Sequence, residues 1–231
     1  MKLTVLGCNG PYPEANGACS GYLLQAGDTR VLLDCGAGVL ARLTALMPPE
    51  ALNAILLSHL HYDHMSDMLP LIYRMQGKRR LTVYAPNEPA AARSLLADAF
   101  DLRPLTAGSI GFLRFETLPV RHPATCRAVR LTDGASDFCY TGDTNTCPNL
   151  AEFAAGCDLL LADACFTDEL WAEQKPHLSA RLAAELAVQA GAKRLVLTHF
   201  TPGIDREALL HQAREAFPAA VLAHAGLEME C

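Results

Sequence analysis

No two cysteines in this chain are spaced C-x-x-C, no apolar run reaches the length of a membrane span, and no low-complexity linker interrupts it. Basic residues are in deficit as well: Lys and Arg number 19 against 25 Asp and Glu, a formal net charge of −6. Each absence closes a class. Without an apolar span, nothing points to a membrane protein. The acidic balance argues against holding RNA or DNA mainly by neutralising phosphates, because such binding scales with the cations supplied. Lys78-Arg79-Arg80 is the obvious basic run, and it reads as a solvated helix end. The nine cysteines are odd in number as well as unclustered, and Met1-Lys2-Leu3-Thr4-Val5 enters a strand pattern with no signal-peptide design. Together these features predict a reduced, cytoplasmic protein whose cysteines are mostly small buried apolar residues.

The 231 residues are 51% hydrophobic, enough for a sizeable core, and one domain over residues 1–231 is expected. Apolar runs bounded by turn residues predict strands over 3–6, 22–26, 30–34, 54–57, 81–85, 112–120, 126–132, 137–141, 159–162, 194–198 and 221–224. Helical spacing predicts helices over 39–47, 66–76, 88–100, 148–155, 178–189 and 205–217. Asp133-Gly134 marks a hairpin turn. Strands in two batches, each accompanied by helices, fit an α/β (α+β) arrangement of two sheets packed face to face with helices outside.

The most informative stretch is Ser58-His59-Leu60-His61-Tyr62-Asp63-His64, which follows the apolar run Ala54-Ile55-Leu56-Leu57. In an extended segment alternate side chains share a side, so His59 and His61 are placed to share one metal ion. Asp63 and His64 then face a neighbouring position suited to a second. Packing alone is a poor explanation for these residues, since each buried polar group left without a partner costs on the order of 1–3 kcal/mol. Imidazole and carboxylate donors favour Zn2+, with Mn2+ or Fe as alternatives.

A two-metal site needs further donors, and His122, Asp143 and His199 each stand where a strand is predicted to end. An aspartate between two ions suits a bridge, one oxygen to each. Cys139 and Cys147 flank Asp143, but histidine and aspartate already supply enough donors. Asp34, at the end of a strand and ahead of Gly36 and Gly38, is either a group that orients a histidine ligand or an ordinary turn aspartate.

In that order, Asp34 in LLDCG, the SHLHYDH cluster, His122, the aspartate of TGDT and His199 in LTHF resemble the metallo-β-lactamase superfamily over essentially the whole chain. The resemblance implies a four-layer αββα sandwich and two divalent metal ions per chain. One would be held by His59, His61 and His122, the other by Asp63, His64 and His199, with Asp143 bridging. Cys126 to Arg130, YTGDT, Ala162-Asp163-Ala164 and His177-Leu178-Ser179-Ala180 are similar to the ribonuclease Z-like phosphodiesterase branch, which implies a role for His177 at the scissile phosphate. That branch also implies a homodimer. The long glycine- and proline-rich arm that grips tRNA has no room between Asp143 and Asp163, so tRNA is not the expected substrate.

The chemistry expected is hydrolysis of a small phosphodiester, a cyclic nucleotide or a nucleic-acid end, by a metal-bound hydroxide. Asp63 is expected to orient or deprotonate the water, and His177 to serve the leaving oxygen. Arg127 and Arg130 are candidate phosphate contacts that read better as solvated strand residues. Two other outcomes stay open: a thioesterase or lactonase of the same fold, and a catalytically silent metal-binding protein. Specificity is expected from the segment between Asp67 and Phe115 and from the loop Pro11 to Ala18.

Overall fold

Strand after strand in the N-terminal half is apolar at consecutive positions because both of its faces are covered. The computed structural model describes all 231 residues. The chain begins with β1 (Lys2–Gly7), β2 (Gly21–Ala26) and β3 (Thr29–Leu33), followed by α1 (Val39–Leu46) and β4 (Ala54–Leu56). Next come α2 (Tyr62–Met65), α3 (Met68–Met75), β5 (Thr82–Ala85), α4 (Ala90–Ala97) and β6 (Asp101–Pro104). The C-terminal half holds β7 (Gly108–Ile110), β8 (Leu113–Pro119), β9 (Arg127–Thr132), β10 (Asp137–Tyr140), α5 (Leu150–Phe153) and β11 (Leu159–Asp163). It ends with α6 (Ala180–Ala190), β12 (Leu195–Thr198), α7 (Arg206–Ala216), β13 (Val221–Leu222) and β14 (Glu228–Glu230).

These strands form two seven-stranded sheets, in the orders β14-β1-β2-β3-β4-β5-β6 and β13-β12-β11-β10-β9-β8-β7. Both sheets are mixed. β1, β2 and β3 pair antiparallel, whereas β3 through β6 run parallel. In the second sheet β7 to β10 are antiparallel and β10 to β13 parallel.

The period of two along a strand sorts the side chains. Tyr22, Leu24, Val31, Leu33 and Leu56 face the other sheet and join Val129, Leu131, Phe138 and Tyr140 in one core. Their neighbours Leu23, Leu32 and Ile55 face outward, into a second core with Leu43, Met68, Leu71 and Leu96 of α1, α3 and α4. On the opposite side α6 lays Ala180, Ala183, Ala184, Ala187 and Ala190 against the second sheet, a helical stripe of small residues that permits close approach. The result is the expected αββα sandwich. Ser179 caps α6 by accepting from the Leu182 amide, and Asp205 caps α7 by accepting from Glu207 and Ala208.

The structure differs from the sequence expectation mainly at edges. β6, β7 and β14 are short, partly polar strands that carry no apolar run. The helix expected over 66–76 is α3, Met68–Met75, and it is preceded by a short helix, α2 (Tyr62–Met65), that the sequence pattern does not announce. No helix is long and apolar enough to cross a membrane.

Candidate metal centre

β4 stops at Leu56, the chain bends at Ser58, and His61, with an extended ψ of 152°, stands just before the start of α2. His59 and His61 converge there, with His59 Nε2 3.0 Å from His61 Nδ1. The first turn of α2 then delivers Asp63 and His64. His122 comes from the loop after β8, and its Nε2 lies 3.2 Å from His61 Nδ1. Asp143 follows β10 through Gly142, and His199 follows β12 in the left-handed region at φ 62°. Both thus arrive at the C-terminal ends of parallel strands, where ligand sites of such sheets form.

Asp143 is the hub. Its Oδ2 lies 3.6 Å from His59 Nε2, 3.1 Å from His64 Nε2 and 3.3 Å from His199 Nε2. Asp63 Oδ2 closes the set, 3.5 Å from His64 Nε2 and 3.9 Å from His199 Nε2. The donor atoms of His59, His61 and His122 all lie within 4.8 Å of one another, and so do those of Asp63, His64, Asp143 and His199. Donors about 2.1 Å from a tetrahedral zinc stand roughly 3.3 Å apart, so these separations suit a shared cation.

Two further observations test the fit. His64 Nε2 and Asp143 Oδ1 are buried polar atoms without a hydrogen-bond partner, a costly arrangement in a core unless a cation takes both. The ring nitrogens facing away from the cluster are, by contrast, well occupied. Asp34 Oδ2 accepts from His64 Nδ1 at 2.8 Å, and Ser58 Oγ lies 3.1 Å from His59 Nδ1. Ser20 Oγ sits 3.2 Å from His199 Nδ1, and the Pro176 carbonyl 3.3 Å from His122 Nδ1. The Asp34 carboxylate, the Pro176 carbonyl and the Ser58 hydroxyl, whose own proton goes to Asp34, favour the proton on Nδ1 and turn the Nε2 lone pairs of His64, His122 and His59 toward the cluster.

Asp34 is accordingly no turn residue. Fully buried, it accepts from the Ser58 amide, the Ser58 hydroxyl and the Tyr140 hydroxyl as well as from His64. Its φ of 58° is a conformation asparagine also tolerates. Asp34→Asn should therefore keep the backbone while removing the charge behind His64, and weaken divalent-cation affinity roughly 10- to 100-fold. Competition with a chelator measures this, and an unchanged affinity would refute the orienting role.

Charge follows the same logic. Burial holds His59 and His199 well below the ordinary imidazole range and brings His122 down to about 4, leaving all of them neutral and able to ligate. Burial opposes protonation of His64 too, but Asp143 and Asp34 on either side outweigh it and raise its pKa well above normal. The cluster favours positive charge at that point. For Asp143, burial is overcome by His199, His64 and His59, which hold the carboxyl well below its usual range.

His177 stands beside the cluster, in the long connection between β11 and α6. Its Nδ1 lies 2.7 Å from Asp163 Oδ2 and 4.0 Å from Asp143 Oδ2. Burial lowers its pKa, yet the Asp163 carboxylate prevails and lifts it to about 9. Its donor atom also groups with those of His122 and Asp143, but a ring whose Nδ1 is committed to Asp163 is better fitted to carry a proton than a cation.

Other candidates are settled by contacts. Arg130 binds the Phe153 and Ala155 carbonyls and Asp137, and Arg127 donates to Thr117, so both are structural. Cys139 is buried in the core and Cys147 lies by the Pro119 carbonyl, away from the donor groups. Glycine matters at two close approaches. A Cβ at Gly10 would stand 2.0 Å from the His199 ring, and one at Gly36 1.9 Å from the Asp63 carbonyl oxygen.

Comparison with known proteins agrees with this geometry. The model of the Beta-lactamase superfamily domain matches residues 29–200. The chain is 34% identical over 236 residues to the probable metallo-hydrolase YhfI of Bacillus subtilis, covering 96% of each protein. The crystal structure of the metallo-beta-lactamase fold protein YhfI superposes with a TM-score of 0.93 at 32% identity, over 100% of this chain and 99% of that one. A ribonuclease Z of Methanopyrus kandleri is 29% identical over 272 residues, covering 98% of this chain and 96% of the relative. By sequence, by topology and by the carboxylate-centred nest of imidazoles at its strand ends, the chain belongs to the β-lactamase superfamily and has the metallo-β-lactamase fold.

Proposed function

We propose that this protein is a binuclear metal-dependent hydrolase that cleaves small phosphodiesters. The observation that carries the reading is the placement of an imidazolium-favouring pair, His177 with Asp163, against a donor set centred on Asp143. Likeness to a probable metallo-hydrolase supports the coarser half of the reading, and likeness to a ribonuclease Z supports the phosphodiester.

His59, His61 and His122 would hold one divalent cation and Asp63, His64 and His199 the other, with Asp143 between them. Imidazole and carboxylate donors suit zinc, and manganese or iron next. When bound, such a pair lowers the pKa of water toward neutrality and offsets negative charge on phosphoryl oxygens.

The chain's own groups account for the proton movements. Asp63 is almost fully buried, 8% exposed, and burial raises its pKa. It accepts the proton of the attacking water as the new P–O bond forms. His177 gives its proton to the ester oxygen that leaves, so that an alcohol departs rather than an alkoxide. Asp163, fully buried and also fixed by the Thr144 amide at 2.9 Å, orients the His177 ring and favours its protonated form. The connection from Asp143 to β11 contains α5 and no inserted arm, which supports a small substrate over tRNA.

A substrate panel tests the reading. The metal-loaded protein is expected to hydrolyse bis(p-nitrophenyl) phosphate and to leave a thioester, a lactone and nitrocefin untouched at the same enzyme concentration. Turnover of the thioester or lactone with none of the phosphodiester would move the protein to the acyl-hydrolase class, and no turnover of any would favour a silent metal-binding protein.

A further inference from the structure

Among the residues of the metal centre, His61 is the one on the exposed side, and a cavity of about 500 Å³ opens onto it. The volume falls within the range of small-molecule sites. Its floor and walls are apolar: Leu60 from the ligand stretch, with Ala91, Ala92 and Leu95 from α4. Tyr62, directly after His61, stands at its edge and is 76% exposed, and Leu95 opposite is 51% exposed. None of these groups takes part in holding the cluster together, and neither the core nor the proton transfers require an aromatic ring at position 62.

We propose that this shelf is a specificity subsite that binds a nucleobase or similar planar group carried by the phosphodiester, with Tyr62 as the stacking platform and Leu95 as the facing wall. The proposal rests on the phosphodiesterase reading above and names the substrate class within it: nucleotide-like esters in preference to simple alkyl or lipid phosphodiesters. Three observations favour a flat apolar group. The cavity adjoins His61 directly, so a ring on the shelf would lie next to a phosphate at the donor cluster. An exposed tyrosine offers a π face that any base stacks on. Apart from His61 itself, the lining offers no polar side-chain group but the Tyr62 hydroxyl, so bases are held by stacking with little hydrogen-bond discrimination among them. A purine and a pyrimidine should therefore be accepted within a few-fold of each other.

Equilibrium binding tests this without turnover, using the metal-loaded protein, adenosine 5′-monophosphate, thymidine 5′-monophosphate and methyl phosphate. Both nucleotides are expected to bind at least about tenfold more tightly than methyl phosphate. Tyr62→Ala should remove roughly five- to tenfold of that preference and Leu95→Ser a smaller part of it, both at exposed positions and both leaving methyl phosphate binding and metal content unchanged. Equal affinity for nucleotides and methyl phosphate would overturn the subsite, as would substitutions that weaken all ligands alike or none. A change from dimer to monomer in Tyr62→Ala with the nucleotide preference intact would also overturn it, assigning the shelf to an interface between copies. Failure of the phosphodiesterase reading itself would show separately, as no hydrolysis of bis(p-nitrophenyl) phosphate by protein that nevertheless prefers nucleotides.

Discussion

Replacing Asp143 with alanine is expected to strip divalent cations from the protein and to reduce phosphodiester turnover by roughly 10³-fold or more, the several kcal/mol that Lewis-acid stabilisation supplies. Its Oδ2 lies 3.1 Å from His64 and 3.3 Å from His199 in its own group of donors and reaches to 3.6 Å from His59 in the other, so it stands between the two. Without it the imidazole nitrogens of His59, His64 and His199 keep only the more distant Asp63 carboxylate near them, and the positive charge favoured at His64 loses one of the two carboxylates that flank it. Asp143→Asn should behave nearly as badly, because the shape survives but the charge does not. Elemental analysis of protein purified without chelator, alongside turnover of bis(p-nitrophenyl) phosphate, measures both effects. Wild-type metal content in Asp143→Ala would contradict the central position of this carboxylate and with it the binuclear reading.

The second large effect is expected at His177. His177→Gln should lower turnover roughly 10²- to 10³-fold, within the usual range for a lost general acid, while leaving metal content intact. The loss should depend on the leaving group. A p-nitrophenolate departs without a proton, so its ester should lose little, whereas an ester of a simple alcohol should lose most of its rate. A merely structural role for His177 would depress both substrates equally, and that result would sink the assignment. Asp163→Asn should follow the same pattern more weakly, since the ring remains but the carboxylate that lifts its pKa to about 9 is gone.

Much of this site was legible in the chain because its donors are rare residue types placed where apolar strands end. His59, His61, Asp63 and His64 lie in one short stretch after β4, and His122, Asp143 and His199 mark the ends of three further strand runs. The αββα layering was legible for a related reason: strands buried on both faces and helices with one apolar stripe leave few ways to pack. The groups that orient the histidines were much harder to see. Ser20 and Tyr140 belong to common residue types at positions unremarkable in sequence, and the Pro176 carbonyl has no side-chain signal at all. Their roles exist only once distant segments meet. Asp163 lay within a recognised motif, but its partnership with His177 needed the coordinates. β6, β7 and β14 escaped because edge strands with polar residues are held by their neighbours' backbone rather than by a buried pattern.

Tyr140 belongs to two systems at once. Its ring stacks at a tilt against Tyr22, 5.2 Å between centroids, in the seam between the sheets, while its hydroxyl ends on Asp34 at 2.9 Å. Asp34 in turn steadies the imidazole of His64. The sandwich's dry interior is thus continuous with the chemistry at its rim. A repacking of Tyr22, far from any solvent, is therefore expected to reach the His64 imidazole through Tyr140 and Asp34, so that substitutions in the seam would tune the rim without ever meeting a substrate.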